Sequence, residues 1–145
     1  MAIALLLWSG LLQQQCCVTS QLLPTVRLLS RSPQGALVFQ VTNPTKAMWN
    51  FQGYGPTYFQ TPLPAGKISP ISHIERFRQG EWRTDFDGRC GVGITRVELP
   101  AGAKATFTVM THLTDREPIR VRLTFFATKE AAQPFTLKSE TVRHE

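Results

Sequence analysis

From Pro24 onward, apolar and polar residues alternate with period two, the mark of strands that set one face against a core. Val26 and Leu28 flank Arg27 in a short first strand. Leu37, Phe39 and Val41 alternate with Val38, Gln40 and Thr42 in a second, which Asn43-Pro44 ends because proline removes a ladder donor. A third strand over 47–52 puts Trp49 and Phe51 on one face. Later come 94–99, then a strand in which Phe107 and Val109 point inward. The clearest alternation sets Ile119, Val121, Leu123 and Phe125 against Arg120, Arg122, Thr124 and Phe126, and Phe135, Leu137 and Ser139 close a last strand. Turn signals separate these runs: Ser32-Pro33-Gln34-Gly35, the proline-rich 61–70 that reads as a crossing between sheets, and Leu99-Pro100-Ala101-Gly102. No helix-period segment follows residue 24. Eight or nine short strands with such corners predict a β-sandwich.

The pattern is densest over 74–109. If Gln79-Gly80 is a two-residue turn, Arg78 lies opposite Glu81 and Phe77 opposite Trp82, an ion pair and an aromatic pair in register. Phe77, Trp82, Thr84 and Phe86 then share the face expected to be buried, and Glu81, Arg83 and Asp85 share the wet one. Arg76 falls opposite Arg83, a like-charge pair that needs Glu75, Asp85 or solvent to relieve it.

Composition agrees with one domain. A chain of 145 residues that is 42% hydrophobic can bury a core, and ten glycines, ten prolines and nine phenylalanines suit many corners better than helices. The net charge of +6 is unevenly laid out. Residues 1–74 carry Arg27, Arg31, Lys46 and Lys67 with no acid, whereas 75–145 hold all ten acids against twelve bases. Bases that are spread thinly or alternate with acids do not form the single-sign footprint of a nucleic-acid binder, so nucleic acid is not an expected partner.

Residues 3–12 form an apolar run stopped by Gln13-Gln14-Gln15, and Val18-Thr19-Ser20 offers a small-residue cleavage pattern before Gln21. The run fits a signal-peptide core and falls short of the ~20 residues that span a bilayer. Residues 1–20 are therefore read as a hydrophobic leader or anchor and 21–145 as the single β domain, exported or membrane-associated, although a cytoplasmic place stays open. Cys16, Cys17 and Cys90 give neither a disulfide framework nor zinc spacing; with the leader removed, Cys90 is a lone thiol.

Chemistry-bearing motifs are sparse. His73, His112 and His144 are far apart, and nothing in the sequence brings one to Cys90 as a dyad would require. Asp85-Phe86-Asp87-Gly88 has the alternating acids of a calcium loop without its remaining ligands. Pro44 blocks Asn43 as a glycan acceptor. No cofactor is implied. The aromatic residues Trp49, Tyr54, Tyr58 and Phe59 are the candidate binding surface, since flat rings on a β scaffold can stack on sugars or peptides. The same residues also serve as core and edge cover, and both roles stay open.

The run Phe39-Gln40-Val41-Thr42-Asn43-Pro44-Thr45, the tryptophan strand Glu81-Trp82-Arg83, the turn Leu99–Gly102 and the strand Thr106-Phe107-Thr108-Val109 resemble bacterial immunoglobulin-like modules. In order and spacing, residues 26–126 are also similar to the intracellular proteinase inhibitor family. The resemblance implies an all-β, immunoglobulin-like antiparallel sandwich of about seven to nine strands and supplies no catalytic residues. The function expected is a non-enzymatic interaction or accessory module for a protein or glycan partner. The alternatives are an inhibitor-like protein acting through an exposed loop and, more distantly, an enzyme using Cys90.

Overall fold

The computed structural model describes residues 22–55, 63–85, 93–111 and 116–143, and among them the chain is all-β with no helix. Nine strands form two antiparallel sheets. The smaller has the order β1-β2-β7, from β1 (Thr25–Arg31), β2 (Ala36–Thr42) and β7 (Lys104–Met110). The larger has the order β5-β4-β8-β3-β6, from β3 (Trp49–Tyr54), β4 (Ser72–Arg78), β5 (Glu81–Thr84), β6 (Ile94–Leu99) and β8 (Ile119–Phe126), with β9 (Phe135–Lys138) also on β8.

One core joins the sheets. Leu37, Phe39 and Val41 of β2, with Ala105, Phe107 and Val109 of β7, meet Phe51, Leu99 and the inward set of β8, Ile119, Val121, Leu123 and Phe125. Phe39 stacks on Phe107 with ring centroids 5.5 Å apart, and Phe51 meets Phe125 at 6.0 Å. Strict alternation in β8 makes this possible, because every second residue falls in the core while its neighbours face out.

β8 is the hub of the larger sheet. Leu123 pairs with Ser72 and Leu137, and Phe125 with Phe51 and Phe135, so β9 lies on one edge while β4 and β3 share the other. Beyond β9 the chain bulges and stays on that edge. Ser139 Oγ accepts the Val121 N–H, and Ile119 and Val142 exchange backbone bonds. The same C-terminal segment reaches the free edge of β1, where the Leu28 N–H donates to Glu140 Oε1 at 2.9 Å and Arg31 Nη2 to the Arg143 carbonyl.

The proline-rich crossing is observed over 63–71. It pairs first with β7 through Thr106 and then with β3, where Tyr54 N–H donates to the Ser69 carbonyl and Ile71 N–H to that of Gln52. Gly53 lies beneath it, and a Cβ there would come within 2.7 Å of the Ser69 carbonyl oxygen, so the close crossing requires glycine.

The hairpin forms in the expected register, with Arg78 opposite Glu81, Phe77 opposite Trp82 and Arg76 opposite Arg83. Gln79 and Gly80 both take positive φ, 52° and 84°, which matches the twist of a tight two-residue hairpin. Its facing is the reverse of the expected one. Phe77 is 39% exposed and Trp82 only half-buried, both on the outer face, whereas Arg76 is 4% exposed and points inward. The reason lies in β8. Its inward residues Ile119, Val121 and Leu123 pair with Arg76, Ile74 and Ser72, so those β4 residues turn inward and Glu75 and Phe77 turn out. Asp85 relieves the Arg76–Arg83 clash by pairing with the Arg76 guanidinium.

Candidate functional site

The outer face of the larger sheet carries the chain's densest described array of charge. In β8 the polar half of the alternation projects Arg120, Arg122, Thr124 and Phe126 outward. Cross-strand pairing aligns them with neighbours from distant parts of the chain. Arg122 sits between His73 of β4 and Lys138 of β9, so three consecutive strands each place a basic side chain on one row. One step along, Arg120 sits opposite Glu75.

Glu75 is the acid that this row surrounds, and it is shared. Arg120 Nε lies 2.6 Å from Glu75 Oε2, Arg122 Nε 3.7 Å from Oε1, and Lys138 Nζ 4.0 Å from Oε2. The carboxylate is buried beneath the three cations, and Arg120 holds its closest hydrogen bond. Arg78, by contrast, holds Glu117 with Nε 2.8 and 2.7 Å from the two carboxylate oxygens and lies 3.8 Å from Asp85 Oδ1. One negative charge cannot neutralise three positive ones, and like charges directly opposite each other destabilise a sheet. Arg122 and Lys138 therefore carry surplus charge at the surface, with side chains 35% and 46% exposed.

Aromatic rings flank the row. At one end the Arg120 guanidinium lies 4.0 Å from the Trp82 ring centroid, and Trp82 meets Phe77 at 5.4 Å. At the other, Arg96 lies 3.8 Å over Phe126 and donates to the Lys129 carbonyl. Stacking of this kind holds a planar guanidinium in place and leaves its edge N–H groups for an acceptor.

Of the aromatic candidates, Trp49 and Tyr54 fall elsewhere. Trp49 is half-buried on the inner side of β3, tilted against Phe135 at 6.2 Å. Tyr54 is 7% exposed and lines a cavity of about 300 Å³ with Leu63, Ile68 and Val97 beneath the crossing. Trp49 thus packs against the core and Tyr54 beneath the crossing. Tyr58, Phe59 and Cys90 lie outside the described residues, as do Cys16, Cys17, His112, His144 and residues 1–20. Asp85 is engaged with Arg76, while the rest of the acid pair at 85–88 is not described. Among the described residues no three His, Cys, Asp or Glu side chains gather as a metal site would need.

In the sequence, Arg120 and Arg122 stand only as the polar half of a strand alternation. The signal was their alternation in a strand whose apolar half is complete, but the partners His73, Glu75 and Lys138 emerge only with the pairing of β4, β8 and β9. Comparison of the chain with known protein families, curated proteins and solved structures finds no match.

Proposed function

We propose that this protein is a non-enzymatic interaction module, an immunoglobulin-like β-sandwich exported or held at a membrane, that meets its partner with the outer face of its larger sheet. The observation that carries the reading is the His73–Arg122–Lys138 row above a single shared carboxylate. Arg122 directly opposite Lys138 costs folding stability through like-charge repulsion, and an anionic partner would offset that cost. Two antiparallel sheets around one core support the sandwich reading, and the step from that scaffold to partner binding rests on the face, since fold alone assigns no function.

Affinity capture with the 21–145 domain tests the reading. Wild type is expected to retain a partner that Arg122→Gln/Lys138→Gln does not, with both proteins melting alike. A partner held equally by both would move the interaction to another surface. N-terminal sequencing of the mature protein tests export; a start near Gln21 is expected, and an intact Met1 in a cytosolic fraction would refute it.

A further inference from the structure

We infer that the partner of this face is an acidic protein segment, one that sets carboxylates over Arg122 and Lys138 and an apolar side chain over Phe77 and Trp82. The inference rests on the proposed use of the outer face and specifies what occupies it.

The layout of the face supplies the argument. Along β8 the outward positions form a stripe with one step every two residues, about 6.7 Å each. It begins at Phe77 and Trp82, beside Pro118, whose carbonyl accepts the Phe77 N–H. The next step is the Arg120–Glu75 pair, already satisfied at 2.6 Å. The following step is the His73–Arg122–Lys138 row, where the surplus charge lies. The exposed apolar ring and the part-neutralised cations are thus about 13 Å apart, two strand steps. An extended peptide spans that distance with four residues and needs an apolar residue at one end and acids at the other.

Carboxylates suit the row better than other anions. Arg122 and Lys138 lie directly opposite each other on adjacent strands, about 5 Å apart, within reach of two carboxylates on one short segment. The aromatic end argues against a glycan or a nucleic-acid strand, both of which gain from open ring faces. Arg120 already covers a face of Trp82, and Phe77 packs against the same ring at a 56° tilt. What Phe77 leaves to solvent is apolar surface fit for an aliphatic side chain beside a cationic rim, the arrangement of a protein-binding hot spot.

The test titrates the full chain with a fluorescent glutamate-rich peptide carrying one leucine four residues before the acids, its leucine-to-serine counterpart, heparin and a single-stranded oligonucleotide. The leucine peptide is expected to bind with a salt-dependent Kd, weakened about tenfold or more by Arg122→Gln/Lys138→Gln. Lys67→Gln/Lys104→Gln, which removes the same charge from exposed positions elsewhere, is expected to leave the Kd within about twofold. The charge-retaining pair Arg122→Lys/Lys138→Arg is expected to keep most of the binding, which separates charge from folding. Phe77→Ser should abolish the preference for the leucine peptide over its serine counterpart. Tighter binding of heparin or the oligonucleotide, or equal weakening by both charge-removing pairs, would overturn the inference. If the acidic peptides fail while Arg122→Gln/Lys138→Gln still loses the captured partner, the assigned partner class falls and the face stands. If that variant keeps the captured partner, the reading of the face falls as well.

Discussion

Phe125→Ala is expected to cost about 3–5 kcal/mol of folding stability, while Trp82→Ala costs about 1–2 kcal/mol. Phe125 is fully buried near the C-terminal end of β8, between Phe51 and Phe135 on the flanking strands, and its removal leaves a cavity that close-packed neighbours on both sheets cannot fill. Trp82 is the larger side chain, yet it lies on the outer face, where its loss removes one contact with Phe77 and one with Arg120 and opens no hole in the core. Urea melts of the two variants decide the point. Equal losses, or a greater one at Trp82, would mean that the hairpin faces the core after all.

Asn43→Ala is expected to cost about 2–4 kcal/mol, an unusually large effect for a polar residue outside any site. Asn43 is fully buried, and its amide nitrogen lies within hydrogen-bond distance of three carbonyls, those of Ala47, Leu99 and Pro100, at 2.8, 3.1 and 2.9 Å. Its carbonyl oxygen accepts from the Thr45 N–H and hydroxyl. One side chain thus clasps the end of β2, the entry to β3 and the turn after β6. Removing it takes a hydrogen bond from the buried Leu99 carbonyl and releases the part-buried clasp on those of Ala47 and Pro100. Thermal melts measure the loss, and hydrogen exchange at the Thr45 amide should accelerate beyond what global destabilisation explains.

What the sequence could and could not reveal follows from the range of each interaction. The Gln79-Gly80 turn fixes its own hairpin register within a few residues, and the inward set of β8 is legible from one strand. Which face of that hairpin is buried is not a local property. Both faces carry apolar side chains nearby, and the choice was made by β8, more than forty positions further along. Asn43 reads as a strand terminator because its partners on the Leu99–Pro100 turn are brought to it only by the pairing of β2 with β7 and of β3 with β6. The basic row was hidden for the same reason, since His73, Arg122 and Lys138 are neighbours only in the sheet.

The position of β8 also bears on how the chain is made. A ribosome delivers β3, β4, β5 and β6 long before the strand that joins them, and β9 with its extension must follow before the second edge of β8 is covered. Until then the early hairpins are two-stranded ribbons with one apolar face in water, marginal by themselves. The larger sheet can close only after β8 and β9 have emerged, so its earlier strands keep an apolar face uncovered through the elongation between, the kind of surface that chaperones bind.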